Sequence, residues 1–304
     1  MKESLQSYMK VGIVHFMAFP EAGKVEGGVL ETVKKIADDD FFSAIEVTSM
    51  KEAGQRESVA KYLKDARMTV GFGGQPALLS AKLDLNSSEE GKRKAAVERI
   101  QACVDEAALL GAQAVAMLSG PDPGSDHREL GISQLIKSLK EICAYAKGKG
   151  DPVIILETFD SEIDKRCLIG PSSDALRVAK EVRSSFPKFG LMVDLSHLPL
   201  QKETPDQALS LLKDYLLHVH IGNCVMKDRS HPAYGDIHPA FGVPGGEVDV
   251  PQVVEFLRAL FKFGYLGEGK RPTVAFEVKP MAGETSEAVI AGAKRTLLEA
   301  WARL

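Results

Sequence analysis

The chain has 304 residues, 44% of them hydrophobic and 26% charged, with a net charge of −4 at pH 7 and a pI near 6.0. That balance lacks the basic surplus a nucleic-acid partner requires, and no apolar run approaches the roughly 18–20 residues that span a bilayer. The opening MKESLQSYMKVG has neither the apolar core nor the cleavage site of a signal peptide. The four cysteines, Cys103, Cys143, Cys167 and Cys224, form no CxxC pair, so reduced thiols in a cytoplasmic protein are the expectation.

The length admits two average domains or one large barrel, and the order of elements decides between them. Short apolar, β-rich runs occur at 11–16 (VGIVHF), 43–48 (SAIEVT), 68–72 (MTVGF), 113–118 (QAVAML), 153–157 (VIILE), 190–194 (GLMVD), 217–221 (LHVHI) and 273–277 (TVAFE). Segments 29–37, 55–66, 92–110, 131–148, 173–184, 205–214 and 250–263 carry helical spacing, most clearly KRKAAVERIQACVDEAALL with GAQ as its stop. Near-continuous apolar strands belong to parallel sheets covered on both faces. Eight of them alternating with helices predict a single (β/α)8 TIM barrel over residues 1–304. A dinucleotide-binding fold would show GxGxxG after its first strand, and HFMAFPEAG does not.

In such a barrel, chemistry sits at the carboxyl ends of the strands. Strand two carries Glu46, strand five ends at Glu157, strand six at Asp194 and strand eight at Glu277, while strand seven carries His220. A carboxylate closing an apolar strand is costly to desolvate unless something pairs with it. Three carboxylates and an imidazole on successive strands would converge on the barrel axis, a donor set suited to Mn²⁺, Mg²⁺ or Co²⁺. His218 and His220 share one strand face because side chains alternate. His220 lies nearer the carboxyl end and is the candidate ligand; His218, one layer down, is expected to be its hydrogen-bonded support.

Glu157, Asp194 with His197 in VDLSHL, His220 in HIGN and Glu277 in FEVKP, together with GDIHPAFGVPGGEVDV, resemble the xylose-isomerase-like TIM barrels over essentially the whole chain. That family includes sugar isomerases, ketose 3-epimerases, inosose dehydratases and, more distantly, endonuclease IV. The resemblance implies one divalent metal ion, Mn²⁺ first, held by Glu157, Asp194, His220 and Glu277, with Glu157 and Glu277 doubling as the acid/base pair. Ketose 3-epimerases read HxGE with an arginine shortly after; here HIGNCVMK has Asn223 and Met226 at those places. The acidic balance argues against a DNA substrate.

These residue types suit an ene-diolate route on a small carbohydrate. One carboxylate takes a proton from a carbon beside a carbonyl, a metal stabilises the oxygen charge, and another carboxylate returns the proton. Epimerisation, isomerisation and β-elimination share that intermediate, so a metal-dependent lyase or dehydratase on a keto-polyol or keto-sugar is the alternative. His197, His238, Asp236, Lys279 and Glu46 are candidate substrate contacts. Against them stand a structural role for His197, a solvated loop for Asp236 and His238, and a barrel-interior salt bridge for Glu46. Oligomeric state stays open, although relatives often pair.

Overall fold

The computed structural model describes residues 3–304. The chain divides into two compact units, Met1–Glu46 with Val193–Leu304, and Val47–Met192. The first unit opens with β1 (Lys10–Ile13), α1 (His15–Ala18), α2 (Gly28–Ala37) and β2 (Ala44–Val47). The second carries α3 (Ala53–Asp65), β3 (Thr69–Gly73), α4 (Gln75–Ala81), α5 (Glu90–Leu109), β4 (Ala114–Met117), α6 (Arg128–Lys147), β5 (Val153–Glu157), α7 (Ser172–Arg183) and most of β6 (Gly190–Asp194). The first unit resumes at the end of β6 with α8 (His197–Gln201), α9 (Pro205–Leu212), β7 (Leu216–Gly222), α10 (Val250–Lys262), β8 (Thr273–Glu277) and α11 (Ser286–Ala302).

The eight strands hydrogen-bond in the order β1-β8-β7-β6-β5-β4-β3-β2, and a parallel bridge from Val14 to Glu46 returns β1 to β2. Parallel strands alternating with helices in that order make a (β/α)8 barrel, the fold the sequence predicts. Among the described residues no helix is long and apolar enough to cross a membrane.

Within the second unit, Ala116, Ile155 and Met192 form a buried layer flanked by Ala114 and Val153. Every second residue of a strand shares a face, so Ile155 and Met192 mark the face on which Glu157 and Asp194 sit one step further along. Arg93, with no exposed surface, ties α5 to α6 by donating to Glu90 (2.9 Å), Glu141 (2.8 Å) and Ser138 (2.9 Å). In the first unit α10 buries Val253, Phe256, Leu257 and Leu260 at helical spacing, each such side chain stabilising by roughly 1.5–3 kcal/mol. A reciprocal box of Asp249 and Gln252 satisfies its first turn. Trp301 donates to the Glu3 carbonyl at 2.8 Å and meets Tyr8 at 5.6 Å between ring centroids, which holds the start of the described chain on α11.

One boundary departs from the sequence reading. β1 stops at Ile13, so His15 opens α1 instead of lying in strand one. There it is buried, with Nε2 at 2.8 Å from the Thr32 hydroxyl, and burial lowers its pKa from 6.5 to about 4.

Candidate functional site

The candidate site of the first unit is built from strand ends and the segments that leave them. β6 ends on Asp194, whose Oδ1 accepts from the backbone N–H of Ser196 at 2.6 Å; the turn this fixes starts α8 at His197. β7 delivers His220 and β8 delivers Glu277. Gly222, at the end of β7, lies opposite Glu277 in the ladder. A Cβ there would stand 2.7 Å from the Glu277 carbonyl oxygen and 2.8 Å from His238 Nδ1, so only glycine lets strand, carboxylate and histidine approach this closely.

Asp194, His220 and Glu277 each present a ligand atom within 4.8 Å of the others. The Nδ1 of His220 is 2.6 Å from Glu277 Oε2 and 3.8 Å from Asp194 Oδ2. Asp194 has no exposed surface, and its Oδ2 has no hydrogen-bond partner. A buried carboxylate oxygen in that condition is expensive, and a bound cation would satisfy it. Two carboxylates and an imidazole converging on one point fit a divalent ion by charge and by donor type.

A second set of contacts supports these three. His197 Nε2 and His238 Nε2 lie 3.0 Å and 2.8 Å from Asp236 Oδ1, and His238 Nε2 is 3.5 Å from Glu277 Oε1. His238 Nδ1 faces the Ser196 hydroxyl at 3.3 Å. Asp236 and His238, on the segment between β7 and α10, are 6% and 2% exposed, which removes the solvated-loop alternative. His238 adopts φ +57, a sparsely populated region for a residue with a side chain. Lys279 joins this group through its backbone N–H, which donates to the His238 carbonyl at 2.7 Å. On the other side of His220, Nε2 is 3.0 Å and 3.1 Å from the two oxygens of Glu46, and His218 Nε2 is 2.7 Å from Oε1 of the same carboxylate.

Electrostatics follow from this crowding. Burial pushes Asp194 up, and the histidine charges around it only partly offset that rise. Burial also raises Glu277, Asp236 and Glu46, but imidazolium neighbours win at all three. His238 and His220 bring Glu277 down to about 2; His197 and His238 hold Asp236 well below the carboxylate range; His220 and His218 hold Glu46 below it. Conversely, burial lowers His238 and His220, yet Glu277 and Asp236 raise His238 to about 9, and Glu46 and Glu277 lift His220 well above its ordinary value. Glu277, Asp236 and Glu46 are therefore held as carboxylates against their imidazole neighbours.

Glu157 belongs to the second unit. It is 1% exposed, and Gln75 donates to its Oε2 at 2.7 Å. Ser196, whose hydroxyl faces His238 at 3.3 Å, is a residue the sequence analysis passed over. Asn223, read as a departure from the HxGE pattern, is committed to the fold: its Nδ2 donates to the Ala240 carbonyl at 2.9 Å and its Oδ1 accepts from the Val248 N–H at 2.8 Å.

An eight-stranded parallel barrel with buried carboxylates and imidazoles at the carboxyl ends of its strands carries its polar groups where (β/α)8 enzymes carry their chemistry. Residues 34–289 match the family described as xylose isomerase-like TIM barrel. The chain belongs to that family. No curated protein matches the sequence. Among solved structures, D-psicose 3-epimerase of Clostridium cellulolyticum H10 is similar at 19% identity and TM-score 0.67, covering 97% of this chain and 96% of that one. The IOLI protein, whose structure holds a zinc atom, is similar at 16% identity and TM-score 0.73, covering 97% and 99%. The 3-keto-D-glucoside 4-epimerase of E. coli is similar at 18% identity and TM-score 0.67, covering 95% and 98%. At these identities the likeness concerns the fold.

Proposed function

We propose that the protein is a divalent-metal-dependent sugar isomerase or epimerase working by carboxylate-mediated proton transfer. The observation that carries the reading is the convergence of Asp194, His220 and Glu277 around an Asp194 oxygen that is buried without a hydrogen-bond partner. Glu157 is the fourth ligand in this reading. Its Cα registers with Met192 on β6, and Asp194 follows Met192 by two residues on the same strand face, which supports a common orientation of the two carboxylates. A bound Mn²⁺, Mg²⁺, Co²⁺ or Zn²⁺ supplies Lewis-acid stabilisation of the charge that deprotonation leaves on a carbonyl oxygen.

The chain's own groups do the rest. Glu277, held as a carboxylate by His238 and His220, is the group this reading assigns to take the proton. Glu157, oriented by the Gln75 amide, is its counterpart for returning one. His197, Asp236, His238 and Lys279 are the groups for the hydroxyls and carbonyl of a small carbohydrate. Membranes and nucleic acids have no part in this reading.

The commitment of Asn223 to Ala240 and Val248 favours one second reading. No carboxylate is presented at that position, and elimination from a keto-polyol or keto-sugar uses the same base, acid and ion. The test is elemental mass spectrometry of protein purified without chelator beside Glu277→Ala, followed by NMR of ketoses, inososes and 3-keto-glycosides incubated in D₂O. A stoichiometric ion lost in the variant, with deuterium at a carbon beside the carbonyl, supports isomerase or epimerase chemistry; loss of water identifies the lyase. A protein that takes up none of these ions refutes both.

A further inference from the structure

We infer that Glu46 is a positioning residue that sets the tautomer and ring orientation of His220 for a divalent ion, and that His218 acts on the ion through Glu46. The inference rests on the metal-site reading above and assigns work to two residues that lie behind the site.

The geometry gives His220 two distinct sides. Nδ1 faces Glu277 at 2.6 Å and Asp194 at 3.8 Å; Nε2 faces both oxygens of Glu46 at 3.0 Å and 3.1 Å. Only Nδ1 can reach an ion held by Asp194 and Glu277, and it does so only with its lone pair available. A neutral imidazole carries one proton, and the nitrogen that donates it to an acceptor leaves the other free for metal. Two carboxylates compete for that proton, Glu277 at Nδ1 and Glu46 at Nε2. With Glu46 in place the proton has a seat away from the ion. Without it, Glu277 holds the proton at the ligand nitrogen and blocks the site.

Glu46 is itself immobilised. Its backbone bridges Val14, its side chain is 6% exposed, and its Oε1 also accepts from His218 Nε2 at 2.7 Å. The His218 ring stands edge-on to His220, 5.0 Å between centroids and 83° between planes. His218 is thus a clamp on the carboxylate: it fills the remaining acceptor direction of Oε1 and keeps both oxygens turned toward Nε2. This arrangement also explains why a chain places two histidines two residues apart on a mostly apolar strand. One faces the ion, and the other holds the group that orients it.

The experiment titrates the full-length protein with Co²⁺ itself, reading the visible d–d absorption and obtaining Kd by competition with a chelator. It compares wild type, Glu46→Gln, His218→Phe, the double variant, and Asp194→Asn as the loss-of-site control. Circular dichroism and melting of the metal-free forms check that each is folded. Glu46→Gln keeps the side-chain volume and one acceptor but loses the charge, and its Kd is expected to weaken about 10–100-fold with a shifted absorption band, as for other partners of metal-bound histidines. His218→Phe, which keeps a ring against His220, is expected to weaken Kd less. In the Glu46→Gln background it should add nothing, because its effect passes through that carboxylate. A wild-type Kd and spectrum in Glu46→Gln, with binding lost in Asp194→Asn, overturns the positioning role and leaves the metal-site reading standing. An undiminished effect of His218→Phe in the double variant overturns the relay. Wild-type protein that gives no Co²⁺ band overturns both readings. If Glu46→Gln does not fold, His218→Phe alone still decides, since an unchanged Kd there refutes the clamp.

Discussion

At Gly222 the site has no room for a Cβ, and Gly222→Ala measures how much the site depends on that. The added Cβ meets the Glu277 carbonyl oxygen at 2.7 Å, about 0.7 Å short of the 3.4 Å where ordinary contact begins, and His238 Nδ1 at 2.8 Å. One neighbour is the backbone of the paired strand and the other a ring fixed to Asp236 at 2.8 Å, so neither swings away freely. Overpacking of this kind costs about 1–3 kcal/mol. Unfolding entropy near 2.1 cal/mol/K per residue converts that, for a chain this long, to a melting temperature lower by about 2–5 °C. The effect on an ion held as proposed is larger in proportion. Metal–ligand distances tolerate displacements of about 0.2 Å, whereas the backbone of Glu277 must yield by several times that. Co²⁺ affinity is therefore expected to fall more than about 10-fold, or 1.4 kcal/mol. Thermal melting of the metal-free protein and Co²⁺ titration measure the two effects separately. A Gly222→Ala protein that melts within about 1 °C of its parent and binds Co²⁺ with the same Kd would refute the reasoning, because strand and ring would have made room at no cost.

Two further outcomes follow from contacts away from the ion. Asn223→Ala leaves the Ala240 carbonyl and the buried Val248 N–H without the partners they have at 2.9 Å and 2.8 Å. At about 1–3 kcal/mol per unsatisfied group, it should lower melting by several degrees and speed amide exchange at Val248, whereas unchanged exchange there would show that the segment is held by other contacts. His15, buried and lowered to about 4 against 6.5 when unfolded, stays neutral in the folded state while the unfolded chain takes up a proton below pH 6.5. Its contribution is therefore whole above pH 6.5 and is lost as pH falls toward 4, by about 3 kcal/mol. The stability difference between wild type and His15→Gln, from urea unfolding at pH 7 and pH 4.5, should move by that order in favour of the variant; a constant difference refutes it.

Much of the fold was legible because buried parallel strands leave a strong signal. Runs 153–157, 190–194 and 273–277 coincide with β5, β6 and β8. The misses have local causes. α4 and α8 are too short for helical spacing to register, α11 carries Gly292 in its interior, and VGIVHF reads as strand to its end although the chain turns into α1 at His15. Within the site, strand-end carboxylates announce themselves by their cost in apolar runs. The contact of His218 with Glu46 joins residues 172 apart, and no local pattern encodes it. Whether Asp236 and His238 sit in solvent was equally unreadable, because the segment that carries them is pinned by Asn223 through bonds to residues 17 and 25 positions away.

The composition of the first unit has a consequence for the order of events at the ribosome. That unit joins residues up to Glu46 with residues from Val193 onward. β1 has β2 beside it early, through the bridge from Val14 to Glu46, but its other neighbour only when β8 exists, since Lys10 registers with Thr273. At about 5–20 residues per second of synthesis, β1 waits roughly 15–50 s for that partner. The stretch Val47–Met192 is complete in sequence long before. Asp194, His220 and Glu277 are translated after that stretch and in that order, so the nascent chain cannot bring these three side chains together until Glu277 has been made. Their convergence is an event of late folding.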